Sequence, residues 1–201
     1  MTVASCNPAH KYTLLQKSFN GGLVDKFVQN SWLSSQKNYD HKLVMGYFDG
    51  NTVNALWNYA QHYAMSDNFY SSNIDPSLPG HLNLISGQTH GATPTNISDN
   101  VANDSVIGDI PSLYDDCSVG TKILMAGRNI SDLMHEKGIS WGWFQGGFKP
   151  SGTIASNDNK AVCGTAHMNI ACKNVTDYVV HHEPFQYYQS TTNQSPLDLD
   201  L

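Results

Sequence analysis

An α/β fold is the class this sequence predicts, and three observations carry the prediction. Short apolar runs alternate with segments of helical period, and Gly, Asn or Asp stand between them. Strand, helix and strand in alternation imply a sheet that is at least partly parallel, because helices then supply the crossovers. The 201 residues, 40% of them hydrophobic, are enough to bury the core of one ordinary domain or part of a larger one. A single domain over residues 1–201 is therefore expected.

Taken in order, Lys11 to Phe19 and Leu23 to Gln29 read as two short surface helices, separated by the breaker Asn20-Gly21-Gly22. Leu43 to Phe48 reads as a strand, and Asp49-Gly50-Asn51 turns the chain into a helix from Thr52 to about Ala64. Val53, Leu56, Ala60 and Tyr63 recur there at the spacing of one buried face, with Thr52 as N-cap. Asp67 to Ser72 is a short aromatic strand candidate. After Asp75-Pro76, Ser77 falls at or just before the start of a helix whose first turn holds Pro79, where the missing N–H costs nothing, and the apolar run Leu82, Leu84 and Ile85 follows. Gly91 to Cys117 is polar and punctuated by Gly, Pro, Asn and Asp, which predicts a long excursion from the core. Ser131 to Lys137 forms a helix ended by Gly138, and strands are expected at Ile139 to Phe144 and Asp177 to Val180.

Charge and cysteine content exclude several functions. Eleven Lys and Arg against seventeen Asp and Glu give a net charge of −6. Nucleic-acid binding, which needs basic residues to displace counterions, is not expected. The apolar runs stop far short of the roughly 20 residues that span a bilayer, so no transmembrane segment is expected, and residues 1–11 lack a signal-peptide pattern. Cys6, Cys117, Cys163 and Cys172 are too widely spaced for a Cys-x-x-Cys site, which leaves two readings: structural disulfides of an exported protein, or free thiols.

Three groups of residues attract chemical attention. Ser77 sits at a helix start, where free N–H groups and a partial positive charge favour an oxyanion or phosphate; the competing reading is a plain Asp-Pro-Ser turn. His181 and His182 are adjacent. On an extended segment they point to opposite faces, so only one lines a given pocket unless the chain bends. Trp141 and Trp143 share one face of the expected strand, and Gly146-Gly147 allow a tight turn or the close approach of a ligand. Asp115-Asp116 reads as a solvated loop before it reads as a cation site. The remaining histidines, His81 among them, show no zinc-type spacing.

Read together, six motifs resemble the bacterial and fungal phosphoesterases that include phosphatidylcholine-type phospholipases C and acid phosphatases. They are Phe19-Asn20-Gly21-Gly22-Leu23-Val24-Asp25-Lys26-Phe27, Met45-Gly46-Tyr47-Phe48-Asp49, Ser66-Asp67-Asn68-Phe69-Tyr70, Asp75-Pro76-Ser77-Leu78-Pro79-Gly80-His81, Trp141-Gly142-Trp143-Phe144-Gln145-Gly146-Gly147-Phe148 and His181-His182-Glu183-Pro184-Phe185-Gln186-Tyr187-Tyr188. The resemblance runs from about His10 to Gln194.

It implies a portion of an alkaline phosphatase-like three-layer α/β/α sandwich, incomplete in this chain, and hydrolysis of a phosphomonoester or phospholipid through a phosphoseryl intermediate. By position, Ser77 matches the nucleophile and a metal ligand, His181 and His182 a catalytic and phosphate-lining pair, and His10 a further substrate-binding histidine. A divalent metal ion, a phosphate-ester or membrane-lipid substrate, and a secreted, periplasmic or cell-envelope location are implied likewise. The family's Glu-Asn-x-Ser-Phe-Asp motif and its downstream Asp-Asp pair, both metal ligands, do not occur here. A catalytically silent accessory polypeptide is accordingly the alternative expectation, and little turnover is expected from the chain alone.

Overall fold

A computed structural model describes residues 7–33, 40–74, 76–147, 163–169 and 172–192. The chain divides into two compact units, Ser5–Ile74 and, with the first four residues, Asp75–Leu201.

In the first unit α1 (Tyr12–Phe19) ends at Asn20, which takes the left-handed conformation at φ 48°, and Gly21 follows at φ 63°. The Asn-Gly-Gly breaker thus acts as its sequence predicts, because both positions adopt backbone angles that favour Asn and Gly. The second helix, α2 (Phe27–Asn30), starts later than the sequence suggests. Trp32 is buried, donates its indole N–H to the His41 carbonyl at 3.0 Å and stacks on the His41 ring.

Where a strand was expected at Leu43 to Phe48, a 3₁₀ turn covers His41–Met45, its start held by the Asp40 carboxylate accepting from the Lys42 N–H. A local carboxylate-to-backbone bond competes with strand pairing and wins. Helix α3 (Asn54–His62) forms as predicted, entered through Asp49, which accepts from both the N–H and the hydroxyl of Thr52. None of its residues is buried, so the expected buried face does not exist in this unit. The aromatic segment 67–72 forms no strand.

The second unit is built on α4 (Ser77–Ser86), closed by Gly87 at φ 72°. Leu78, Leu82 and Ile85 point into the core at the i, i+4, i+7 spacing of one helix face. Three two-stranded antiparallel ribbons follow: β1 (Ala92–Thr93) with β4 (Leu124–Met125), β2 (Val101–Ala102) with β3 (Ser105–Val106), and β5 (Ala166–Met168) with β6 (Asn174–Thr176). Mixed helices and small antiparallel sheets make this an α/β chain, the class expected. The expected parallel pairing is confined, among the described residues, to a single bridge between Ser112 and Ile123. Residues 91–117 are no excursion from the core: Ala92, Val101, Val106 and Ile110 are all buried in it.

Helix α5 (Ile130–Glu136) begins with a capping box, Asn129 accepting from the Ser131 N–H and Asp132 accepting from the Asn129 N–H. Gly138 follows at φ 63°. The stretch after it is not a strand, yet Trp141 and Trp143 do work from one side: both rings lie on Phe185, at 4.6 and 5.7 Å between centroids. Gly147, at φ 80°, is approached by the Asp177 backbone so closely that no Cβ fits. The close approach foreseen at the paired glycines is therefore made by the protein's own chain.

Cys117 and Cys163 form a disulfide, while Cys172 is free and exposed. Cys6, Asp75, Phe148 and the last nine residues lie outside the described positions. No helix among the described residues is long and apolar enough to cross a membrane.

Candidate active site

Ser77 opens α4, half-buried, immediately after an extended Pro76 at ψ −166°. This is the placement its sequence predicts, and Pro79 lies in the first turn as foreseen. The segment ahead of it is irregular rather than a strand. One turn along, His81 Nδ1 meets the Ser77 carbonyl oxygen at 2.9 Å. A carbonyl only accepts, so Nδ1 is the donor in this contact. The edge of Trp143 packs against the same imidazole at 6.2 Å.

His181 and His182 approach this helix from a 3₁₀ turn, Val180–His182. The turn is the bend without which the pair, on an extended segment, would face opposite sides. In a strand successive side chains diverge by half a turn, in a 3₁₀ helix by a third. Their rings meet edge to face at 4.6 Å, and His182 lies 5.1 Å from His81 between ring centroids. Three imidazoles therefore gather beside the start of α4. His182 is held below the ordinary histidine pKa, first by burial and then by its histidine neighbours, with Asp109 acting in the opposite direction.

Asp109 completes the cluster. Its Oδ1 accepts the Leu78 N–H at 2.8 Å and its Oδ2 lies 3.7 Å from His181 Nε2. Sequence reasoning found neither His81 nor Asp109. The first had a readable signal, since i and i+4 share a helix face and His81 stands four residues after Ser77. The second had none, because a loop residue 31 positions beyond Leu78 meets it only through the fold. His10 lies in the other unit, exposed, just ahead of α1.

A clamp of buried polar groups holds the histidine turn. The Tyr178 hydroxyl donates to Asp115, the Ser112 hydroxyl to the Gln186 carbonyl, and the Tyr187 hydroxyl to the Ile110 carbonyl. Asp115 is thus buried and engaged, correcting its reading as a solvated residue, while Asp116 is exposed. Its carboxyl is raised chiefly by burial, against the hydrogen bonds from Tyr178 and Cys117.

Glu183, directly after the pair, is raised by burial from 4.5 to about 8. Unfolded, this carboxyl ionises near pH 4.5; folded, it keeps its proton until about pH 8. Its contribution is full at low pH and is lost as pH rises through that window. Glu183→Gln is expected to be more stable than the wild type by about 3 kcal/mol at pH 7 and to have no advantage near pH 4. Urea midpoints at the two pH values check this. An equal difference at both would show that Glu183 is ionised in the folded protein.

The resemblance implies a divalent metal with Ser77 among its ligands. Among the described residues no three His, Cys, Asp or Glu side chains stand close enough together to hold a metal ion. The described residues by themselves therefore do not make up a metal site, and no step below passes through one.

A serine at a helix start, with three imidazoles gathered at that helix, brings together residue types that ester hydrolysis can use. The family comparison agrees and narrows the class: the model of the Phosphoesterase family matches residues 1–200, essentially the whole chain. The chain belongs to that family, and hydrolysis of phosphoric esters is the chemistry that follows. A comparison with curated proteins finds no match.

Proposed function

We propose that the chain hydrolyses phosphoric esters through a phosphoseryl intermediate on Ser77, with His181 and His182 as the pocket's proton-handling and phosphate-facing groups. The observation that carries the reading is the meeting of the Ser77 helix start with His81 and His182. Ser77 Oγ attacks phosphorus while the bond to the leaving alkoxide breaks. The serine proton passes to a neutral imidazole, assigned to His182, and then to the departing oxygen. Water, deprotonated by the same ring, attacks phosphorus as the bond to Ser77 Oγ breaks, and the ring returns the proton to Oγ while phosphate leaves.

Burial keeps His182 neutral, and so able to accept that proton, below the ordinary histidine pKa of 6.5. The acid limb of kcat is therefore expected below pH 6.5, and a pH profile of the His182→Gln variant that retains the limb would remove the assignment. His10 is assigned to substrate binding by resemblance alone, as is the choice between a phosphomonoester and a membrane phospholipid. A divalent metal would require ligands beyond the described residues. The Cys117–Cys163 disulfide supports a secreted, periplasmic or cell-envelope location, since disulfides persist where glutathione does not reduce them.

The test is turnover of a chromogenic phosphomonoester and of a short-chain phosphatidylcholine by the polypeptide as it occurs in its host. Turnover of either supports the reading and names the substrate class. Failure on both, at saturating divalent metal, favours the accessory-polypeptide alternative.

A further inference from the structure

Beside the serine and the histidines stands a carboxylate whose chemistry is awkward for a phosphatase. A phosphate group carries negative charge and needs converging donors, so a nearby carboxylate repels it and gains nothing by touching it. Asp109 nevertheless sits at the start of the serine's helix. Its two oxygens divide their work: Oδ1 accepts from the Leu78 N–H at 2.8 Å, and Oδ2 faces His181 Nε2 at 3.7 Å.

The loop that presents it is fixed from both sides. Gly108 donates its N–H to the Asn100 carbonyl at 3.1 Å and lies so near Asp99 and Asn100 that a Cβ would collide with them. On the other side, the Ile110 carbonyl takes the Tyr187 hydroxyl and the Ser112 hydroxyl binds the Gln186 carbonyl. The loop that carries this carboxylate is therefore held by contacts of Gly108, Ile110 and Ser112 in addition to the two that Asp109 makes itself.

We propose that Asp109 is the positioning residue of the site, tying the residue next to Ser77 to the imidazole of His181 through the two oxygens of one carboxylate. The inference rests on the reading of Ser77 and His181 given above. Leu78 carries one of the helix-start N–H groups that have no partner within the helix, and a carboxylate there is favoured by the helix dipole. The same charge favours a His181 ring that turns an N–H toward it. Asp109 acts through these neighbours and touches no substrate.

Two substitutions separate its two contacts. Asp109→Asn keeps an acceptor for the Leu78 N–H but turns no charge toward His181, while Asp109→Ala removes both. With a phosphomonoester, Asp109→Asn is expected to lower kcat roughly tenfold and Asp109→Ala roughly a hundredfold, with KM moved by less than about threefold. At fixed pH the ring ¹⁵N signals of His181, identified by their loss in His181→Gln, are expected to shift in both variants. A merely structural role would not move them in Asp109→Asn at an unchanged melting temperature. Should Asp109→Ala fail to fold, Asp109→Asn carries the test.

If Ser77→Ala is inactive while the Asp109 variants keep kcat within about twofold and His181 signals stay in place, the positioning role is overturned and the functional reading stands. If the wild type shows no turnover, or Ser77→Ala leaves turnover unchanged, the functional reading falls and the His181 signals decide. A shift in Asp109→Asn then upholds the link between Asp109 and His181, and unmoved signals overturn it.

Discussion

Ser77→Ala is expected to lower phosphoester turnover by at least about 10³-fold, the scale on which loss of an attacking hydroxyl is felt when the rest of the site remains. The variant should fold normally. Alanine is the best helix former, and α4 is anchored in the core by the buried Leu78, Leu82 and Ile85, whereas Ser77 is only half-buried. A stability change within about 0.5 kcal/mol is expected, so the loss would be chemical rather than structural. Acid quenching during turnover, followed by mass spectrometry, should find phosphate on the peptide carrying Ser77 in the wild type and none in the variant. Undiminished turnover by Ser77→Ala would show that another group attacks phosphorus.

The second large effect concerns stability. Cys117 and Cys163 are 46 residues apart, and closing a loop of that length removes unfolded-state entropy worth about 4 kcal/mol. Reduction, or replacement of both cysteines by serine, is expected to lower the unfolding free energy by about that amount and the melting temperature by roughly 10 °C. The loss should reach the histidines. The Cys117 N–H donates to Asp115 at 2.8 Å, and the other oxygen of that carboxylate takes the Tyr178 hydroxyl, three residues ahead of His181. Denaturant melts of oxidised and reduced protein check the size of the effect, and coincident midpoints would mean that the bridge adds nothing.

Glu183 and the disulfide pull in different directions as conditions change. The carboxyl weakens the fold as pH rises from 4.5 toward 8, while the bridge stabilises it at any pH at which it stays oxidised. A reduced sample at pH 8 should therefore be the least stable of the four combinations of redox state and these two pH values.

Much of the local structure was legible because local rules decide it. Asn20-Gly21 stops a helix, Gly138 follows a helix end in the left-handed region, and Pro79 sits in a first turn; each depends only on the backbone angles those residues accept. The strands fared worse. Leu43 to Phe48, Asp67 to Ser72 and Ile139 to Phe144 have the apolar and aromatic content of strands but form none, since a strand is stable only when a neighbour takes its hydrogen bonds. The helix at Asn54–His62 shows the same limit: periodicity marks which face is apolar and does not supply the surface that buries it.

By itself, then, the sequence determined the α/β class, the helix that opens at Ser77, and, through its motifs, membership of the Phosphoesterase family. The tertiary structure alone decided that His182 meets His81 with His181 packed against it, that Asp115 is buried against Tyr178, and that Asp109 reaches Leu78 across 31 residues. The physical reason is one of range. Backbone angles and caps are set within a few residues, whereas a site is assembled by contacts between segments whose separation along the chain carries no information about their distance in space.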